Sequence, residues 1–89
     1  VEAHAGRQPE AGKSAIFALG ELVYHLSFIH NPKEGVLLNV GTIEGGTAIN
    51  VIPGFARAKV NLRTSTDLEY QEYHQIMKDI ISEVMKRHG

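Results

Sequence analysis

The chain has 89 residues, with 9 Lys and Arg against 10 Asp and Glu, a formal net charge of −1 and no cysteine. That length suits one small core and leaves no room for a second domain. Near-neutrality removes the electrostatic case for nucleic acid or an anionic membrane surface, and the lack of cysteine excludes a disulfide framework or a thiolate metal site. No apolar run approaches the roughly 18 residues that span a bilayer, and no basic-then-apolar leader opens the sequence, so the expectation is a cytoplasmic chain that meets other protein. VEAHAG begins without Met in the middle of patterned sequence, which predicts a segment of something longer.

Val1 to Ala3 reads as the tail of a first strand. From Gly12 to His30, Ile16, Leu19, Val23 and Leu26 recur at the three-four spacing of an amphipathic helix, with Ser14 placed to cap it and Asn31-Pro32 to stop it. Val36 to Ile43 is short and rich in β-branched residues, bounded by Gly35 and the pair Gly45-Gly46, and so predicts a strand. The glycine pair suits a hairpin turn, as a structural loop.

In FARAKVNLRT, Ala56, Ala58, Val60 and Leu62 alternate with Arg57, Lys59, Asn61 and Arg63, which predicts a strand with one core face and one wet, basic face. Thr66-Asp67-Leu68-Glu69 is a capping box. The helix it starts carries a stripe of Tyr73, Met77, Ile80, Ile81 and Val84, and ends in Lys86-Arg87-His88, where the helix dipole favours positive charge. Two one-striped helices around an antiparallel hairpin predict a two-layer α+β sandwich with both helices on one face. With Val1 to Ala3 and a strand beyond the second helix, this is the βαββαβ plan of a ferredoxin-like domain with its outer strands partly truncated.

Five histidines raise the question of a metal. His25 and His30 are five apart on a helix and rotate off a common face, and no HExxH or histidine-carboxylate cluster supplies three ligands, so His25, His30, His74 and His88 read as plain surface or helix-end residues and no metal site is expected in this chain. Neither a nucleophile elbow nor a phosphate loop is present. Three positions stand out. His4 lies in a small-residue loop where an imidazole is free to act, although a solvated histidine is the ordinary reading. Asn50 interrupts an apolar run, where it could close an Asx turn. Arg63 ends the polar face of its strand, either as a solvated charge or as a fork for a carboxylate.

The residues HAGRQPEAGKSA at 4–15, GTIEGGTAINVIP at 41–53 and NLR at 61–63 together resemble the lid, or dimerisation, domain of the zinc-dependent exopeptidases and deacylases. That family includes glutamate carboxypeptidases, aminoacylases, acetylornithine deacetylase and succinyl-diaminopimelate desuccinylase. The resemblance covers nearly the whole chain. It implies that residues 1–89 are one lid domain of a larger metallopeptidase, pairing two subunits as a homodimer and closing over the catalytic domain. Two zinc ions would be held by ligands outside this chain.

It also implies roles for the three positions. His4 would reach a neighbouring subunit's active site and hold the developing oxyanion, while Asn50 and Arg63 would bind the free carboxylate of a small peptide or N-acyl amino acid, the three converging on a pocket completed by another segment. The sequence departs from the family's pattern at Asn61, where an acid is usual, and at Ser14, where asparagine is common. KSAI at 13–16 leans toward the glutamate carboxypeptidase-like branch. The competing reading is a free-standing ferredoxin-like module that binds a small ligand or a protein without catalysis.

Overall fold

A computed structural model describes Ala3, His4 and residues 13–89. The elements in order are strand β1 (Ala3–His4), helix α1 (Ala15–Ser27), a 3-10 turn (Pro32–Glu34), strands β2 (Leu37–Gly45), β3 (Val51–Ile52) and β4 (Ala56–Arg63), and helix α2 (Asp67–His88). The fold is α+β, as expected.

Ser14 caps α1, its Oγ accepting from the Phe17 amide at 3.1 Å. The helix ends at Ser27, short of the His30 limit that its pattern suggests. At its close, Phe28 and Ile29 donate to the carbonyls of His25 and Leu26, three residues back, and this tightened turn keeps Ile29 buried outside the helix proper. The chain then reverses through Asn31 and Val36, whose backbones bond each other. Gly35 sits at φ 76°, a backbone that favours glycine, and a Cβ there would lie 2.5 Å from Ser65 Oγ, so a side chain would also force that hydroxyl to move.

β2 and β4 form an antiparallel ladder from Leu37↔Arg63 to Gly45↔Ala56. The register slips between Val40 and Thr42, leaving Gly41 as an extra residue. That bulge is what puts Ile43 opposite Ala58, on the same face as Leu38, Val40, Val60 and Leu62, despite its odd position in the strand. The hairpin expected at the glycine pair joins β2 to β4, through a long connection over residues 46–55. Gly45 ends β2, where a Cβ would lie 2.8 Å from that of Ala56, and Gly46 alone turns, at φ 85°. Within the connection, β3 pairs antiparallel with β1, through Ala3↔Ile52 and His4↔Val51. The first strand therefore joins the loop's short ladder, one residue further along than the sequence suggests.

The Thr66 hydroxyl caps α2, accepting from the Glu69 amide at 3.1 Å and donating to the Glu69 carboxylate at 3.2 Å. Both helices lie on the apolar face of the hairpin. The core is Leu26, Ile29, Val36 and Leu38, with Leu22, Val40, Leu62, Tyr73, Met77 and Ile80 packed around it. Val84, 1% exposed, is the buried residue of α2. The core thus gathers at the Arg63 end of the hairpin.

Candidate functional site

Arg63 is placed by alternation. Leu62 faces the helices, so Arg63, Asn61 and Lys59 face the other way, with Asn39 directly opposite Asn61. Beyond Arg63 the chain turns into α2, and an open groove of about 610 Å³ is lined by Leu62, Arg63, Thr64, Ser65, Thr66, Asp67 and Tyr70. Thr64 Oγ1 donates to the Thr66 carbonyl at 2.8 Å, which fixes this corner. A forked cation among hydroxyls suits a carboxylate.

Asn50 lies at the other end of the hairpin, exposed in the turn closed by the Val51 amide on the Ala48 carbonyl at 3.3 Å. The next residue, Val51, is the ladder partner of His4. Residues 47 apart in sequence are thereby set side by side, the His4 backbone against the residue that follows Asn50. The His4 side chain lies outside the described residues, as do the remainder of its loop and Val1. At about 3.4 Å per residue the eight residues of β4 span roughly 24 Å, so Arg63 is far from the end where Asn50 and the His4 backbone meet. Within a single chain, then, Asn50 and Arg63 stand at opposite ends of the hairpin. The spacing in sequence could not reveal this, because it depends on the connection folding back at the mouth of the hairpin.

Beside the Asn50 turn a second cleft, about 460 Å³, is lined by Glu44, Gly45, Gly46, Thr47, Phe55 and Arg57. Arg57 pairs with Glu44, directly across the ladder, and its guanidinium carbon lies 6.0 Å from the centre of the Phe55 ring. Sequence patterning does not unite this group, because the cross-strand register that brings it together depends on the bulge.

Three of the histidines read as plain surface residues have specific partners. His30 Nδ1 accepts from the Leu38 amide at 3.1 Å, tying the end of α1 to β2. His25 and His88 both donate from Nε2 to the Glu21 carboxylate, at 3.0 and 2.7 Å, and Arg87 joins the same carboxylate. Glu21 thus fastens the last turn of α2 to the middle of α1; its spacing to His25 was readable, its partners on α2 were not. His74 stacks on Tyr70 with ring centres 5.9 Å apart. Among the described residues no three His, Asp or Glu side chains are arranged to hold a metal ion, and the Glu21 group is already occupied by the Arg87 guanidinium. Zinc does not fit the described residues.

The profile of the peptidase dimerisation domain matches residues 1–89. The chain is 38% identical over 68 residues to an indole-3-acetyl-aspartic acid hydrolase of Enterobacter agglomerans, an alignment covering 75% of this chain and 16% of that protein. It is 37% identical over 67 residues to one of the subunits of p-aminobenzoyl-glutamate hydrolase from Escherichia coli, covering 74% of this chain and 15% of that protein. Among solved structures, an aminobenzoyl-glutamate utilization protein from Klebsiella pneumoniae superposes with a TM-score of 0.90 at 28% identity, covering 99% of this chain and 23% of that one. The chain thus spans only 15% to 23% of the length of these relatives. With a match along its whole length and the same fold in a solved relative, the chain belongs to the peptidase dimerisation domain family.

Proposed function

We propose that this domain is the dimerisation and substrate-capping lid of a zinc-dependent carboxypeptidase or amidohydrolase, acting on an amide bond next to a free carboxylate. The observation that carries the reading is the ladder between His4 and Val51, which sets the His4 backbone beside the Asn50 turn, while the length of β4, about 24 Å, separates that end from Arg63. A small N-acyl amino acid cannot bridge that distance. One lid therefore serves two active sites, offering His4 and Asn50 to the partner subunit's site and Arg63 to its own.

In that arrangement the His4 imidazole donates to the carbonyl oxygen as charge develops on it, a contribution worth a few kcal/mol when the donor is held in place. Arg63 and Asn50 bind carboxylate oxygens from opposite sides, one as a charged fork and one as a neutral amide, and so orient the scissile bond. The metal ligands belong to the catalytic domain of the parent chain. Two of the relatives are named for hydrolysing indole-3-acetyl-aspartic acid and p-aminobenzoyl-glutamate, which supports a substrate with an acidic amino acid end.

Mixed dimers of the full-length protein test this. A subunit disabled at its metal ligands is combined with a His4→Ala subunit, and separately with an Arg63→Ala subunit. Activity should return in the first mixture and not in the second. Return in both, or in neither, would overturn the division of the lid between two sites.

A further inference from the structure

The cleft at the mouth of the hairpin holds an aromatic ring that the domain leaves largely uncovered. Phe55 is 62% exposed, although it lines a space of about 460 Å³. That volume falls within the roughly 300–1,000 Å³ of small-molecule sites.

The walls of the cleft narrow the choice of ligand. Gly45 and Gly46 bring bare backbone to it, and at Gly45 a Cβ would lie 2.8 Å from that of Ala56. Arg57 stands beside the ring, with its guanidinium carbon 6.0 Å from the ring centre, and Glu44 pairs with it from across the ladder. The two charges cancel. A second anion therefore gains no net attraction here, whereas a flat, uncharged ring can stack on Phe55 and lie along the guanidinium plane.

Position decides which part of a substrate this is. Thr47 lines the cleft and leads into the turn that holds Asn50, closed by the Val51 amide on the Ala48 carbonyl. Val51 is also the ladder partner of His4. In the lid reading above, Asn50 takes the carboxylate of the substrate and His4 its carbonyl oxygen, so what lies beyond that carbonyl is the acyl group. Resting on that reading, we infer that the cleft receives the acyl end of the substrate and that Phe55 selects an aromatic acyl group over a small aliphatic one. Because the cleft shares its end of the lid with Asn50 and His4, it serves the same site as they do.

The test compares N-benzoyl-glutamate with N-acetyl-glutamate as substrates of the full-length protein, with melting temperature measured alongside. Phe55→Ala should lower kcat/KM on the benzoyl substrate about tenfold more than on the acetyl one, through KM, because stacking is made equally in the ground and transition states. Phe55→Tyr should keep the wild-type ratio. So should Ile49→Ala, at a fully exposed apolar position of the same mouth that does not line the cleft. An unchanged ratio in Phe55→Ala, with both substrates still turned over, overturns the acyl cleft and leaves the lid reading in place. A lower melting temperature with an unchanged ratio would mean that the parent chain covers the ring, and would also overturn it. An equal change of ratio in Ile49→Ala would show a general disturbance of the mouth and overturn it as well. A wild type that hydrolyses neither substrate removes the lid reading and the role of the cleft with it.

Discussion

The two ends of the β2–β4 hairpin are built to different standards. At the Arg63 end, Leu38 is 6% exposed beneath two helices, His30 holds the start of β2, and Gly35 fits against Ser65 in a turn only glycine enters easily. At the mouth, every residue from 41 to 50 is exposed, and Ile43, Ile49 and Phe55 lie largely in solvent. The packed end presents its guanidinium on a finished scaffold. The mouth carries its asparagine on backbone that the domain itself barely supports, and large apolar side chains left open there mark a surface for something else to cover. The contrast matches a lid whose one end works at home while the other is completed by a neighbouring surface.

Stability measurements on the isolated domain would break or sharpen this contrast. Leu38→Ala should cost about 2–5 kcal/mol in chemical denaturation, whereas Ile43→Ala, on the same sheet face at the mouth, should cost less than about 1 kcal/mol. Equal losses would erase the difference between the ends. Gly35→Ala combines a left-handed backbone with a close Ser65 hydroxyl and should cost about 1–2 kcal/mol, read from the shift in denaturation midpoint. The smallest effect belongs to the mouth. Arg57→Ala removes an ion pair whose side chains are 59% and 55% exposed, and should move stability by no more than about 0.5 kcal/mol.

Much of this was legible in the sequence, for identifiable reasons. The Ser14 cap, the Thr66 box and the alternation of Ala56 to Arg63 are local signals, and each element begins or alternates where its residues say. The fold class and the family followed from their order and from three short motifs. What the sequence hid was non-local. The bulge at Gly41 shifts half the ladder by one residue, the pairing of His4 with Val51 joins distant segments, and Glu21 draws His25, His88 and Arg87 together across two helices. The distance between Asn50 and Arg63 belongs to this class as well. Thirteen residues of separation could describe one pocket or two, and only the path of residues 46–55 decides.

The slip at Gly41 has a consequence for how such hairpins can vary. β2 accommodates its additional residue by kinking, and Leu38 and Ile43 still reach the same side. Ala56 to Arg63 of β4 pair without an additional residue. Removing or adding one residue between Ala56 and Leu62 without a compensating bulge would turn Arg63 to the helical side, so single-residue length changes in β4 should be borne only where a bulge absorbs them.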